Sequence, residues 1–386
     1  MKKVLFILIN MNVGGTEKSF LNLVDQLPQD QYDISLLLLE NKGGLLKEIP
    51  SHIRILELKE YANIKPKLSC SPRSQLKRSL LKRSFREAFF FMYTYIYRKV
   101  KNDSRLYYKF LMKDVPELKE DFDLAIAYAG PMNFITYFTN YRVKAKEKIQ
   151  WIHFDITRIG FDPIFAKHMY QQFNKIYVVS KQAAEKLIHL IPDIKNKVEV
   201  HENIVSSSKI KEMASSKEVL KYPGIKIVTV GRLTKEKAPE RALKVCKDLI
   251  DHGFNITWHW IGDGNLKAHM MQLVIEYNLE GIFILEGSQV NPYPYINQAN
   301  IYVQPSDHEG YCITIAEAKA LNKPIVTTAT AGAMDQITHN ITGLITKIDD
   351  QSLFNGVVTL LKDSSLRHSL IQALNTEVET VRKNFI

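Results

Sequence analysis

Short apolar runs alternate with amphipathic stretches along the whole chain. Uninterrupted runs of this kind are typical of parallel strands that are buried on both faces, with helices connecting them. In the first half they predict strands at Lys3–Ile9, Ile34–Leu39, Ile53–Leu58, Leu124–Tyr128, Lys148–Ile152 and Ile176–Val179. Helices fit between these strands at about residues 16–27, 75–100, 104–113 and 181–190.

A second series of strands begins after a polar stretch at residues 206–224. It is predicted at Ile225–Val230, Ile256–Trp260, Ile282–Leu285, Ile301–Val303, Pro324–Thr327 and Leu344–Thr346. The fold class is therefore α/β, with two doubly wound Rossmann-like domains at residues 1–205 and 223–365. The remaining segment, 366–386, belongs to a last helical stretch that begins near residue 363 and is expected to pack back across the first domain.

Two such domains are expected to face each other across a cleft. Open parallel sheets bind ligands beyond the carboxyl ends of their strands, so the site should lie there. Functional residues should then follow strands directly.

Composition excludes several classes of protein. The chain has 386 residues, about twice the usual domain length, with 45% hydrophobic and 24% charged residues, which excludes disordered, fibrous and disulfide-scaffold proteins. Three scattered cysteines and the lack of a CxxC or HExxH motif argue against a structural metal and favour a reducing cytoplasm. The apolar run near the amino terminus is too short for a signal peptide, and no run approaches the roughly 20 residues that span a bilayer.

Positive charge is concentrated in one segment. Residues 64–119 carry 15 Lys and Arg against four acidic residues, which accounts for the whole net charge of +11. Aromatic residues are interleaved with this charge, and Phe85, Phe89, Met92 and Ile96 fall on one helical face. The predicted membrane-contact residues are Lys77, Arg78, Lys82, Arg83, Phe85, Arg86, Phe89 and Phe90.

A basic, aromatic helix suits an anionic lipid surface, because the rings lie at headgroup level while Lys and Arg pair with phosphate. We therefore expect this segment to contact a membrane. Two alternatives are an aromatic stripe packed on its own domain beneath a solvated charged face, and a nucleic-acid groove.

Candidate chemistry follows the predicted strands. Gly14 and Gly15 follow the first strand and open a helix, where backbone N–H groups can approach a negative group. They do not form the GxGxxG dinucleotide fingerprint. His153 ends another strand, although a lone histidine is more often structural.

The second half carries a denser set of such residues. Arg232 and Lys237 leave the sheet after the strand Ile225–Val230, where two cations can clamp a diphosphate. Glu309 lies in the loop after the strand Ile301–Val303, and Glu317 lies two helical turns further on. The helix between them is expected to begin near Tyr311, so that its free N–H groups suit phosphate.

These motifs resemble those of a retaining glycosyltransferase of family 4, with the GT-B fold. The resemblance rests on EGYCITIAEAKA with Glu309 and Glu317, on the loop GRLTKEK, on Gly14-Gly15 and on the histidine after Trp151-Ile152. It is closest to bacterial cell-envelope enzymes of capsule, exopolysaccharide or teichoic-acid synthesis. The resemblance implies that the second domain binds a nucleotide-sugar, with a UDP-sugar favoured, and that the first domain binds the acceptor.

The resemblance also implies residue roles. The catalytic residues would be His153 beside the sugar, Arg232 and Lys237 on the leaving diphosphate, and Glu309 on the donor sugar. Glu317 would contact the ribose. The implied donor-binding residues are Gly14, Gly15, Gly231, Arg232, Lys237, Ser288, Gln289, Glu309, Gly310, Tyr311, Cys312, Ile313, Thr314 and Glu317.

No metal and no other cofactor is expected. Fixed cations and helix amides can stabilise the leaving group without a metal. The chain has a DxD motif, Asp121-Phe122-Asp123, but this motif precedes a strand and so lies at the opposite edge of the sheet from the site. The acceptor is expected to be a glycan or a lipid-linked glycan, with the enzyme peripheral on the inner face of the cell membrane and no nucleic-acid partner. Alternatives are a nucleotide-sugar epimerase or hydrolase of the same fold, or a non-catalytic binder of an anionic polymer.

Overall fold

The chain divides into two compact units, Met1–Glu202 and Asn203–Ile386. The predicted domain bounds were 1–205 and 223–365. The computed structural model describes residues 1–69, 85–101, 103–154, 156, 161–215, 219–220, 222 and 224–376.

The first unit is built on a parallel sheet. Its strands are β1 (Lys2–Leu8), β2 (Tyr32–Leu38), β3 (Arg54–Glu57), β4 (Asp121–Gly130), β5 (Lys144–Ile152), β6 (Lys175–Val178) and β7 (Val198–Val200). They lie in the order β3-β2-β1-β4-β5-β6-β7. The helices are α1 (Gly15–Asp25), α2 (Tyr61–Ser69), α3 (Phe85–Lys101), α4 (Arg105–Leu111), α5 (Asn133–Arg142), α6 (Pro163–Tyr170) and α7 (Lys181–Leu190).

The second unit repeats this plan. Its strands are β8 (Ile225–Val230), β9 (Ile256–Ile261), β10 (Phe283–Gly287), β11 (Ile301–Gln304), β12 (Ile325–Thr328) and β13 (Leu344–Thr346), in the order β10-β9-β8-β11-β12-β13. The helices are α8 (Ser207–Ala214), α9 (Pro239–Asp251), α10 (Lys267–Glu276), α11 (Tyr293–Gln298), α12 (Ile313–Ala320), α13 (Ala331–Met334), α14 (Asp350–Lys362) and α15 (Ser364–Thr376). Both sheets have the doubly wound order with its switch point between the first and fourth strands, which confirms the predicted fold class.

Strand alternation separates the two faces of the second sheet. Trp258 and Trp260 on β9 lie in the core cluster with α9 and α14, whereas Ile261 lies in the cluster with α11 and α12. Both faces are covered, as expected of a parallel sheet with continuous apolar strands. The carboxyl ends of β8 and β11, which are neighbours in this sheet, therefore meet at one edge.

The carboxyl-terminal helix packs within the second unit where it is described. Leu370 of α15 is fully buried in the same cluster as Trp258. Residues 377–386, which the predicted return to the first domain includes, lie outside the described residues. Within the described residues, none of the helices combines the length and the apolar character needed to cross a bilayer.

Of the basic segment 64–119, the structure describes residues 64–69, 85–101 and 103–119. Lys77, Arg78, Lys82 and Arg83 lie outside the described residues. On α3, Ala88, Phe91 and Thr94 are buried, and Phe91 packs against Tyr107 of α4. The opposite face is exposed and carries Phe85, Phe89, Phe90, Tyr93, Ile96 and Val100. Within the part of the first unit that the structure describes, this exposed face is therefore not the surface by which α3 packs.

Candidate functional site

The loop after β8 is held rigidly at its start. The amide of Gly231 donates to Ile261 O (3.0 Å), and Trp260 Nε1 donates to Gly231 O (2.8 Å). Gly262 has a φ of +146°, and a Cβ at this position would lie 2.0 Å from Gly231 O. The neighbouring strand thus fixes where Arg232 and Lys237 leave the sheet.

Lys237 and Glu309 form a largely buried ion pair. Their side chains are 16% and 8% exposed, and Lys237 Nζ lies 2.5 Å from Glu309 Oε1. Burial disfavours the charged ammonium, but the Glu309 carboxylate outweighs this and raises the pKa of Lys237. Arg232 is more exposed and pairs with Glu236 at 3.0 Å. The loops after β8 and β11 therefore bring together a largely buried cation and a carboxylate, with a second, more exposed cation on the same loop as the first.

The loop after β11 is anchored by an arginine. Arg241 on α9 donates to Pro305 O (2.8 Å) and to Asp307 Oδ1 (2.6 Å), and its Nε lies 3.2 Å from Asp350 Oδ1. These contacts fasten the segment that leads to Glu309 onto the neighbouring helix. The position of Glu309 relative to β11 is therefore set by side chains outside the predicted site.

Glu309 receives several hydrogen bonds at one oxygen atom. Besides Lys237, Ser306 Oγ donates to Oε1 (2.6 Å), and so does Gln304 Nε2 (3.4 Å). Ser306 and Gln304 are fully buried. Neither was predicted as a site residue. The signal that points to Gln304 is a polar residue at the carboxyl end of an apolar strand, directly before Pro305-Ser306.

The helix that follows begins two residues later than predicted. Cys312 has a φ of +63° and interrupts the helical backbone, so that α12 starts at Ile313 rather than near Tyr311. Burial, with a smaller contribution from Glu309, raises the pKa of the Cys312 thiol to about 12. The loop is closed by Gln336 Nε2, which donates to the backbone oxygens of Gly332 (2.9 Å) and Cys312 (3.3 Å), and also to that of Tyr311.

Glu317 lies inside α12 and is fully buried. Its Oε1 accepts a hydrogen bond from the hydroxyl of Tyr293 on α11 (3.0 Å). Burial, followed by the Glu317 charge, raises the pKa of Tyr293, so this phenol stays protonated and donates. Tyr293 was not among the predicted residues.

The remaining predicted residues of the second unit follow β10. Gly287 has a φ of +73° and ends the strand, Ser288 is exposed, and Gln289 Nε2 donates to Glu286 O (3.0 Å). Of the other predicted residues, Gly310 and Tyr311 lie in the turn between Glu309 and α12, and Ile313 and Thr314 are the first two residues of that helix.

In the first unit, Gly14 and Gly15 lie at the start of α1, at the end of the loop that follows β1. A Cβ at Gly14 would lie 2.5 Å from Glu17 Oε2, so the carboxylate of the first turn closes over this glycine. His153 follows β5 and is buried, with its ring parallel to that of Trp151 (5.7 Å) and 4.6 Å from that of Tyr128. Its amide donates to Gly130 O at the end of β4.

Asp121 and Asp123 lie at the amino end of β4. Asp123 accepts a hydrogen bond from the amide of Lys3 (2.9 Å) and pairs with Lys146 (2.6 Å). Among the residues that the structure describes, no group of three or more His, Cys, Asp or Glu is placed to hold a metal ion.

Residues 210–376 match the family model described as Glycosyl transferases group 1. This stretch contains the Lys237–Glu309 pair, the loop after β11 and α12. For residues 210–376 the match confirms the resemblance to glycosyltransferases that the motifs of this stretch indicated.

Curated relatives match parts of the chain. CapM of Staphylococcus aureus, named a capsular polysaccharide biosynthesis glycosyltransferase, is 28% identical over 145 residues, which are 36% of this chain and 38% of the relative. A Campylobacter jejuni protein, named N-acetylgalactosamine-N,N'-diacetylbacillosaminyl-diphospho-undecaprenol 4-alpha-N-acetylgalactosaminyltransferase, is 27% identical over 217 residues, or 56% of this chain and 58% of the relative. The chain therefore matches less than two thirds of the length of either relative.

Solved structures extend the similarity to both units. HepE of Anabaena, in complex with UDP and glucose, is similar over 97% of this chain and 94% of its own, with a TM-score of 0.68 and 13% identity. At this identity the similarity concerns the fold, and it confirms the GT-B fold for this chain.

Proposed function

We propose that this chain, whose residues 210–376 match the group 1 glycosyl transferases, is a retaining glycosyltransferase of bacterial cell-envelope polysaccharide synthesis. It moves a sugar from a nucleotide-diphosphate sugar, with UDP-sugars favoured, to a glycan or a lipid-linked acceptor. The observation that carries the proposal is the buried Lys237–Glu309 pair at the joined carboxyl ends of β8 and β11, directly before the amino terminus of α12. In a doubly wound sheet this switch point is where ligands bind.

The cations of this site suit a leaving diphosphate. Negative charge grows on the diphosphate as the bond to the sugar breaks, and Lys237, Arg232 and the amides at the start of α12 can stabilise it. These groups supply the charge that a divalent cation would otherwise provide, so the reaction is proposed to be metal-independent.

Acidic and polar groups then position the donor. Glu309 accepts hydrogen bonds from the donor sugar, Glu317 lies on the ribose side, and Ser288 with Gln289 holds the base. For Glu317 this role requires that Tyr293 share its carboxylate or move away. The similarity to HepE, whose structure holds UDP and glucose, supports this donor class.

The first unit is proposed to receive the acceptor, with Gly15 and His153 at the carboxyl edge of its sheet. The acceptor oxygen forms a bond to the anomeric carbon on the face from which the phosphate oxygen departs. The acceptor proton passes to that phosphate oxygen, which needs no enzymic nucleophile and retains the anomeric configuration.

The exposed face of α3 supports a peripheral position on the inner face of the cell membrane. Phe85 and Phe89 are 69% and 67% exposed, and Arg86, Lys99 and Lys101 are exposed on the same helix. Large aromatic rings in a contiguous exposed row are unusual on a monomer and mark an interaction surface. Lipid headgroups fit both the rings and the cations, and an acceptor linked to lipid would be presented there.

The activity is tested by incubating the chain with candidate nucleotide-sugars and measuring nucleotide release with and without a lipid-linked acceptor. We expect release that depends on the acceptor. Donor consumption without acceptor would instead identify an epimerase or hydrolase. Salt-sensitive binding of DNA without any donor binding would identify a non-catalytic binder of anionic polymers.

Membrane contact is tested by co-sedimentation with vesicles of anionic or neutral phospholipid. We expect pelleting with anionic vesicles, and about a tenfold weaker association for Phe85→Ser/Phe89→Ser. The matched control is Met271→Ser/Ile275→Ser, which removes a similarly exposed i, i+4 pair from α10. Equal pelleting with both lipids, or equal losses in both variants, would contradict the membrane contact.

A further inference from the structure

Gln304, the last residue of β11, is the centre of a buried hydrogen-bond network. Its Oε1 accepts from the hydroxyls of Tyr302 (2.7 Å) and Thr314 (3.2 Å). Its Nε2 donates to Ser306 Oγ (2.9 Å) and to Glu309 Oε1 (3.4 Å). One side chain thus joins the strand, the loop that carries Glu309 and the first turn of α12.

The partners determine which way the amide faces. The Glu309 carboxylate only accepts hydrogen bonds, so the Gln304 nitrogen faces it and the Gln304 oxygen faces the hydroxyls of Tyr302 and Thr314. The amide nitrogen then faces Ser306. Because Ser306 Oγ accepts from Gln304, its own proton is directed to Glu309 Oε1.

Three donors therefore converge on Oε1 of Glu309, from Lys237, Ser306 and Gln304. In the described part of the chain, Oε2 of this carboxylate accepts no hydrogen bond from the protein. The carboxylate is therefore held through Oε1, and Oε2 can accept a hydrogen bond from a ligand. A ligand hydroxyl that donates to Oε2 would meet an acceptor whose orientation is already set.

We propose that Gln304 is a positioning residue for donor-sugar binding. It acts through Glu309 and ties the orientation of that carboxylate to Thr314, where the donor phosphates are proposed to lie. This inference rests on the proposed function. Loss of a merely structural glutamine would weaken the binding of UDP and of a UDP-sugar equally. Loss of a positioning residue would weaken the binding of the UDP-sugar alone.

The experiment compares Gln304→Leu with Gln298→Leu. Gln298 on α11 also accepts two hydrogen bonds, from the amides of Val219 and Leu220, and among the described residues no hydrogen bond joins it to Glu309. Ser306→Ala, which removes the two hydrogen bonds that the Ser306 hydroxyl makes with Gln304 and Glu309, serves where Gln304→Leu does not fold. UDP affinity, UDP-sugar affinity and kcat/KM are measured for each chain, with thermal unfolding as the test of folding.

We expect kcat/KM to fall by about 10- to 100-fold in Gln304→Leu and about tenfold in Ser306→Ala, since the lost hydrogen bonds position a charged group. UDP affinity should change by less than about threefold, because UDP lacks the sugar that Glu309 contacts. In a Glu309→Gln background, Gln304→Leu should change the UDP-sugar affinity by less than about threefold.

Three outcomes would overturn the inference while leaving the proposed function intact. They are an equal loss of UDP and UDP-sugar affinity in Gln304→Leu, an undiminished effect of this substitution in the Glu309→Gln background, and the same pattern of losses in Gln298→Leu. If the unmodified chain bound neither UDP nor any nucleotide-sugar, the proposed function would fail, and the role of Gln304 with it.

Discussion

Lys237 and Glu309 are 72 positions apart in the sequence, and the charge of each accounts for the burial of the other. The ion pair keeps a cation and a carboxylate in a site that is mostly closed to water, where either charge alone would be costly. The sequence indicated both residues by type and by their place after strands, but not that they pair. That contact depends on β8 and β11 being neighbours in the sheet.

Removing one partner of this pair should destabilise the chain. Lys237→Met leaves the Glu309 carboxylate largely buried without its cation, and we expect the free energy of unfolding to fall by about 3 kcal/mol. Lys237→Met/Glu309→Gln should recover part of the loss, as measured by denaturant unfolding. A double variant less stable than Lys237→Met would contradict this account of the pair.

The pair also predicts a pH dependence. The pKa of Lys237 is raised in the folded chain above its ordinary value of 10.5, so its contribution to stability is complete below that pH. It is lost as the pH rises through the folded-state pKa. The stability difference between the unmodified chain and Lys237→Met/Glu309→Gln should therefore be constant between about pH 6 and pH 9. A difference that changes sharply within this window would show that another group is responsible.

At the scale of elements, the apolar strands were predicted more accurately than the short strand β7, the start of α12 and the side chains that hold the loops. Apolar runs located the strands to within a few residues, but β7 is three residues long and only half-buried, and it carries no such run. The start of α12 was predicted two residues early, because the left-handed backbone of Cys312 leaves no mark in the hydrophobic pattern. Arg241 was missed since its partners are distant in sequence, and Gln304 was missed since its hydrogen bonds depend on how the loop after β11 folds back.

The two faces of α3 should respond differently to truncation. Phe91 is 2% exposed and packs on α4, so Phe91→Ala should lower the free energy of unfolding by about 3 kcal/mol. Phe89→Ala, on the exposed face, should change it by less than about 0.5 kcal/mol. Denaturant unfolding of both variants tests this directly. Similar losses would mean that the aromatic stripe is covered by protein.

The loop after β8 depends on one close backbone contact. Gly262→Ala would place a Cβ 2.0 Å from Gly231 O and should displace the loop that carries Arg232 and Lys237. We expect UDP affinity to fall by at least about tenfold. Gly253→Ala is the control, because Gly253 has a φ of +81° but open surroundings. Equal UDP affinity in the two variants would show that this contact does not position the site.

The whole molecule consists of two sheets with the same strand order, and its chemistry is concentrated in the second. The net charge of +11 belongs to residues 64–119 of the first unit, and this segment contains none of the residues proposed to bind the donor. We propose that the basic segment determines where the chain binds, and that the Lys237–Glu309 site carries out the transfer. The doubled fold followed from the strand pattern, whereas donor, acceptor and linkage depend on side-chain contacts that no strand pattern encodes.

The central claim is tested most directly by the transfer of a labelled sugar from a UDP-sugar to a lipid-linked glycan acceptor. We measure it for the unmodified chain, Glu309→Ala and Arg232→Ala in parallel. We predict that the unmodified chain transfers the sugar, and that transfer falls by at least about 100-fold in Glu309→Ala and by about tenfold or more in Arg232→Ala. Transfer that is undiminished in both variants would contradict the assignment of the site.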